Sequence, residues 1–251
     1  MNETKTPRDT DLNKLSRLKA LSWLSTSELT LLVGALAAAN FGRNEIILGE
    51  AALASDAHIL LTGIARITCT NRRRERATVA LIAPGPIPEF PSWETSGFYF
   101  QCVAYNDCRV GSLSRAVFDK ITANAPESAS RKMHENDLRQ WYRLMLRGSS
   151  YLSPGLRDRV ALALLELCSD FGVEESRGTL LRESFSHQDI ADLVGASRPR
   201  VTEHLAQLEH DRFVHRQGRQ FIVRVGELAE AIAHVPSEEG ARMATRGPAL
   251  S

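Results

Sequence analysis

Ser186-His187-Gln188-Asp189-Ile190-Ala191-Asp192-Leu193-Val194-Gly195-Ala196-Ser197-Arg198-Pro199-Arg200-Val201-Thr202-Glu203-His204-Leu205 is the stretch on which the reading of this chain turns. Apolar residues recur at helical spacing on both sides of a single glycine, which predicts two short helices packed at a steep angle. Ser186 is placed to cap the first helix, Ala191 is small enough for close approach of the second, and Gly195 supplies the positive φ of a tight inter-helix turn. Ser197 is expected to cap the second helix. Pro199 is tolerated in that helix's first turn, where N–H groups have no intrahelical partner.

The second helix is predicted to expose Arg198, Arg200, Thr202 and Glu203 while burying Val201, Leu205 and Leu208. Such an arginine-rich helix start suits major-groove reading: a guanidinium reaches guanine O6 and N7 as a fork, a carboxylate accepts from cytosine N4, and the helix N-terminus attracts phosphate. Phe213 to Val223 alternates around Gly218 as a short hairpin with a basic tip, so Arg216 and Arg219 are expected to touch phosphate as a wing would. His187 is a further candidate phosphate contact. The DNA-binding set is therefore Ser197, Arg198, Arg200, Thr202, Glu203, His187, Arg216 and Arg219, with double-stranded DNA as the partner.

The 251 residues suffice for two domains with real cores. Net charge is only +1, so nucleic-acid affinity has to come from a local patch with modest salt dependence. The polar start of the chain gives no targeting signal, and the most apolar run, Leu29 to Ala39, is too short to span a bilayer; no membrane association and a cytoplasmic location are expected. The four cysteines, Cys69, Cys102, Cys108 and Cys168, form no Cys-x-x-Cys pair, so no metal site and no cofactor are expected. Cys102 and Cys108 read as small buried residues or, alternatively, as an oxidant-responsive pair.

Residues up to about Asp11 read as disordered. Leu12 to Ala39 carries two helical patterns separated by Ser25-Thr26 as a cap site. From Phe41 to Leu113 short alternating strands follow: Glu45 to Leu48, His58 to Leu61, Ala65 to Thr70, Ala77 to Ile82, Tyr99 to Ala104 and Arg109 to Leu113, with corners at Gly42, Gly49, Gly63, Gly85 and Asn106-Asp107. That pattern predicts an antiparallel barrel or jelly roll. Arg72-Arg73-Arg74-Glu75-Arg76 fits a hairpin tip, either a solvated turn or a contact to polymerase, DNA or an acidic partner. After Ser114 to Ile121, a long helix is predicted from about Glu127 to Tyr151. Its stripe, with Met133, Leu138, Trp141 and Met145, is most economically buried against a second copy of itself, giving a homodimer. Arg157 to Phe171 predicts a helix under the reader, and residues 236–251 read as a disordered tail. The fold class is α+β.

A β-rich N-terminal domain, a long connecting helix and a C-terminal winged helix-turn-helix resemble the Crp/Fnr superfamily of bacterial transcription regulators over about residues 12 to 233. The resemblance rests on Gly49-Glu50, Leu60-Leu61-Thr62-Gly63, Asn124-Ala125-Pro126 and Ile190 to Arg198. It implies a cyclic-nucleotide-binding-like β-roll over 12–122, a dimerisation helix over 123–152, and a winged helix-turn-helix over 153–235. It also implies effector-driven repositioning of the reading helices. Arg198 matches the family's guanine-reading arginine, whereas Pro199 and Glu203 stand where the cyclic-AMP receptor branch has a base-reading glutamate and an arginine. That branch's ribose-binding Gly-Glu and phosphate-binding Arg-Ser or Arg-Thr pairs correspond here to Pro88-Glu89 and Phe98-Tyr99. Glu89 can still accept from a ribose hydroxyl, but the phosphate has lost its arginine, which disfavours cyclic AMP.

Glu89, Phe98 and Tyr99 are thus the candidate effector pocket. The surrounding aromatic group, with Phe90, Trp93 and Phe100, either fills the barrel or lines an apolar pocket for a small-molecule effector. His58 alone is a weak haem ligand. The function expected is a homodimeric, sequence-specific regulator on a palindromic operator, working with RNA polymerase. The alternative is a sensor for an apolar or redox effector that acts mainly through protein contacts. No Gly-x-Ser-x-Gly elbow, His-Glu-x-x-His site or phosphate-cradling glycine loop favours an enzyme.

Overall fold

The computed structural model describes residues 7–18, 21–22, 24–49, 56–88, 97–123, 131 and 155–233. The chain divides into two compact units, residues 1–148 and 149–251. The expected dimer helix with Met133, Leu138, Trp141 and Met145 lies outside the described residues, as do Glu89, Phe90, Trp93 and the tail from 236.

In the first unit, α1 (Pro7–Leu15) and α2 (Thr26–Ala35) precede eight strands: β1 (Ala37–Phe41), β2 (Ile46–Leu48), β3 (Asp56–Thr62), β4 (Ala65–Asn71), β5 (Arg76–Ile82), β6 (Gly85–Pro86), β7 (Phe98–Ala104) and β8 (Cys108–Ser114). The helix α3 (Arg115–Ala123) follows. All pairings are antiparallel, in two sheets of order β1-β8-β3-β6 and β2-β7-β4-β5. Leu60 and Val110 of one sheet share an interior cluster with Ile67, Cys102 and Ala104 of the other. This is the jelly-roll core the alternation predicts. Strand β3 is buried on both faces: Leu60 enters that interior, while Ala57, Ile59 and Leu61 pack with Leu29, Leu32 and Val33 of α2. Each such leucine, isoleucine or valine contributes about 1.5–3 kcal/mol by leaving water.

Two expectations are corrected at this end of the chain. The disorder expected up to Asp11 gives way to α1, because Asp11 is 7% exposed and forms a bidentate pair with Arg109 of β8, Nε to Oδ1 at 3.0 Å and Nη2 to Oδ2 at 2.9 Å. The apolar run to Ala39 does not remain helical. Ser25 and Glu28 form a capping box at the start of α2, but the helix stops at Ala35 and Ala37–Phe41 pairs with β8, so tertiary pairing overrides alanine's helix preference.

The hairpin expected at Arg72 to Arg76 is present: Asn71 N–H donates to the Glu75 carbonyl at 3.0 Å and Arg74 takes φ +62°. Gly63 turns β3 into β4 at φ +92°. A Cβ there would lie 2.4 Å from the Asp107 carbonyl oxygen, so only glycine fits.

The second unit comprises α4 (Leu156–Phe171), β9 (Gly172–Glu175), β10 (Gly178–Leu181), α5 (His187–Val194), α6 (Arg198–His210), β11 (Val214–Gln217), β12 (Gln220–Val223) and α7 (Val225–Ala233). Its sheet runs β11-β12-β10-β9. Helix α4 buries Val160, Leu164 and Leu167, the floor expected beneath the reader. The β9–β10 hairpin was not foreseen. It extends the wing sheet and holds Leu180 opposite Ile222.

Candidate nucleic-acid interface

Helix α5 starts with a reciprocal cap. Ser186 Oγ accepts from Asp189 N–H at 3.2 Å, and Asp189 Oδ2 accepts from Ser186 N–H at 2.7 Å. It ends at Gly195 with φ +62° and ψ +44°, the left-handed turn that glycine was expected to supply. Ile190 and Ala191 are fully buried, so α6 can lie close against α5.

Helix α6 buries Val201, Leu205 and Leu208 and leaves Arg198, Arg200, Thr202 and Glu203 exposed, as the spacing predicts. One detail differs. Ser197 holds the N-cap position with extended backbone, but its hydroxyl makes no capping bond. Pro199 is the second helical residue and has no N–H to offer, which removes one of the two usual donors. The Ser197 hydroxyl stays exposed beside Arg198 and Arg200, whose guanidinium groups have no hydrogen bond or ion pair among the described residues.

Val214–Gln217 and Gln220–Val223 pair as the wing, with Gln217 opposite Gln220 and Gly218 at φ +63° in the turn. Arg219 is exposed at this tip without an intramolecular partner among the described residues. Arg177 reaches the same place from the β9–β10 turn, donating to Gln217 Oε1 at 3.2 Å.

Arg216 and His187 are differently placed. Arg216 Nε donates to Glu209 Oε1 of α6 at 2.9 Å, its guanidinium lies 5.1 Å from the Phe221 ring centroid, and Nη2 contacts His187 Nε2. His187 Nδ1 lies 2.7 Å from Thr202 Oγ, and the ring stacks on Phe221. Burial first, then the Arg216 and Arg198 cations, push the His187 pKa down, with Glu209 pulling it up. Glu209 and Phe221 carry no motif signal in the sequence, since their role depends on tertiary contact alone.

In the first unit, Phe98 and Tyr99 are 52% and 41% exposed on β7, so neither fills the barrel; Phe100 packs against its interior cluster instead. Arg66 does not supply an interior cation either. It alternates with Ala65 and Ile67, which face the core, and so sits on the outer face of β4. Cys102 and Cys108 do share the core, as free thiols; burial pushes Cys102 up to about 12 and raises Cys108, which disfavours the thiolate form at both. Among the described residues there is no cluster of potential metal ligands, and no helix long and apolar enough to cross a membrane.

Residues 158–231 match the family model of the Crp-like helix-turn-helix domain. The chain is 29% identical over 175 residues to the nitrogen fixation regulation protein FixK of Azorhizobium caulinodans, covering 67% of each chain. It is 24% identical over 227 residues to the CRP-like cAMP-activated global transcriptional regulator of Mycobacterium tuberculosis, covering 85% of this chain and 95% of the relative. Among solved structures, FixK2 from Bradyrhizobium japonicum superposes with a TM-score of 0.63 at 21% identity over 78% of this chain and 96% of the other, which shows a common fold.

Proposed function

We propose that the chain is a transcription regulator of the Crp/Fnr superfamily and acts as a homodimer on a palindromic operator. The observation that carries this is the face of α6: Arg198 and Arg200 stand exposed and unengaged in its first turn, held by the buried Val201, Leu205 and Leu208. Arg198 reads guanine; Arg200 divides between base and phosphate. Thr202 and Glu203 lie one turn further along the groove, with Glu203 accepting from cytosine N4. The Ser197 hydroxyl and Arg219 meet phosphate at the two ends of the reader.

Residues 12–122 serve as the β-roll sensor domain, 123–152 as the dimerisation helix with Met133, Leu138, Trp141 and Met145, and 153–235 as the reader. Two readers one helical turn apart, about 34–36 Å, match half-sites of a palindrome. The protein works in the cytoplasm with RNA polymerase as partner and has no catalytic role. Its β-roll pocket, around Glu89, Phe98 and Tyr99, lacks the arginine that neutralises a cyclic phosphate. It therefore disfavours cyclic AMP, unlike the relative named as cAMP-activated, and either holds no ligand or takes an uncharged or aromatic effector. No observation favours action through protein contacts alone.

The test is selection of duplexes from random DNA by the full-length protein, with and without cell extract. A recovered inverted repeat supports the reading, and failure to enrich any sequence overturns it. Equilibrium dialysis with cyclic AMP checks the pocket; saturable binding there would refute its loss.

A further inference from the structure

The contacts between the wing and the two reader helices favour one protonation state of His187. Thr202 Oγ donates its only hydrogen to the Arg198 carbonyl at 2.9 Å, so in its 2.7 Å contact with His187 it is the acceptor and Nδ1–H is the donor. Nε2 faces Arg216 Nη2, and a guanidinium can only donate, so Nε2 holds a lone pair. Both contacts are satisfied together by a neutral ring with its proton on Nδ1. Arg216 is committed in turn to Glu209 and lies over Phe221, the ring on which His187 stacks. One continuous set of contacts thus runs from Glu209 through Arg216, His187 and Thr202 to the first residue of α6.

We propose that neutral His187 is a positioning residue that clips the wing to the reading helix through Arg216, and that acid opens the clip and releases DNA. The proposal rests on the DNA-reading function above and assigns Arg216 and His187 to its internal bracing, leaving Arg219 as the wing cation that faces phosphate. A proton on Nε2 would set donor against donor. The charged groups facing the ring are Arg216 on β11 together with Arg198 and Glu209 on α6; two cations oppose the new charge and one carboxylate favours it. Burial and these cations hold the ring below the ordinary histidine value of 6.5. The clip is therefore closed from alkaline pH down through that value, and its contribution is lost as pH falls through the ring's own lower pKa. A histidine that bound phosphate directly would give the opposite sign, tighter binding in acid.

The probe is a duplex recovered from a random pool by the full-length protein at pH 8. Its affinity is measured from pH 8 to 5 for wild type, His187→Gln and Arg216→Met. Wild-type affinity should fall about tenfold per pH unit for each reader once below the ring's pKa, and so about a hundredfold for a dimer that engages both half-sites. His187→Gln carries an amide oxygen that accepts from Arg216 at every pH, so the acid-to-alkaline affinity ratio within that variant should flatten. His204, His210 and His215 are the same in both proteins, so the comparison of the two profiles isolates His187. In parallel, NMR of histidine-labelled protein without DNA should show the Nδ1–H form of His187 at neutral pH and a titration that moves upward in Arg216→Met. Affinity that rises in acid, an unchanged profile in His187→Gln, or an Nε2–H ring would overturn the clip. If the pool yields no duplex, the DNA-reading function fails, and the NMR result alone decides the clip.

Discussion

Replacing Arg198 with methionine separates base reading from folding. Arg198 is the first residue of α6, exposed, and its guanidinium has no hydrogen bond or ion pair among the described residues. Its loss should change stability by no more than about 0.5 kcal/mol, the range for surface positions without such partners. The cost then falls on DNA. A bidentate guanine contact discriminates by about 1–3 kcal/mol, and a symmetric dimer makes two of them, for about 2–6 kcal/mol or roughly 30-fold to 20,000-fold in affinity. The assay is competition binding at fixed salt between the selected operator and duplexes in which each guanine of the half-site is replaced in turn. Methionine should weaken operator binding by that factor and abolish discrimination at one guanine while the others remain discriminated. An equal loss on operator and scrambled duplex would demote Arg198 to a phosphate contact, and no loss at all would refute the reading of α6.

Gly63→Ala should destabilise the first unit by about 2 kcal/mol or more, read by urea unfolding, because alanine at φ +92° meets the Asp107 carbonyl at 2.4 Å and the Cys108 sulfur at 2.8 Å. Asp11→Ala should cost about 2 kcal/mol in the same measurement: it strands Arg109, whose side chain is only 25% exposed, with Asn40 Oδ1 at 3.3 Å as its remaining side-chain acceptor among the described residues. A change below 0.5 kcal/mol would mean that α1 does not stay docked in solution. Arg200 and Arg219 of each reader, as the phosphate contacts, give about four neutralised phosphates per dimer and a slope of log affinity against log salt near −4. Arg219→Ala should reduce that slope by about 2 per dimer without changing sequence preference.

What the sequence made legible followed from periodicity and backbone chemistry. Six strands of the roll were readable because their inward residues alternate between turns, and α5, α6 and the wing because Ser186, Gly195 and Gly218 each answer a local conformational demand. Ala37–Phe41 was not readable, since alanine and asparagine carry no strand preference and the segment is held by β8. The short β9–β10 hairpin escaped for the same reason: its Glu174-Glu175-Ser176-Arg177 stretch is polar, and only its pairing with β12 gives it a place. At Ser197 the local rule for capping was overridden by a neighbour, Pro199, which removes a donor the cap would use.

The arginines of the reader show why residue type alone could not assign roles. Arg157 pairs with Asp211 at 2.7 Å, Arg224 with Glu227 at 3.0 Å and Arg216 with Glu209 at 2.9 Å, while Arg198, Arg200 and Arg219 remain open. The acidic residues among them, which keep the chain near neutrality, therefore do more than lower its net charge. Each exposed pair is worth at most about 1 kcal/mol to the fold, too little to explain as stabilisation alone. Their larger effect is selective: they occupy the cations that brace helices and wing, while those at the start of α6 and the wing tip stay uncompensated among the described residues, as do Arg182 and Arg212 elsewhere on the unit. On the proposed docking, a duplex approaching the reader would then meet positive charge where base edges and flanking phosphates are expected. This favours register over indiscriminate attraction, because cations spread evenly over the unit would bind any phosphate backbone equally well.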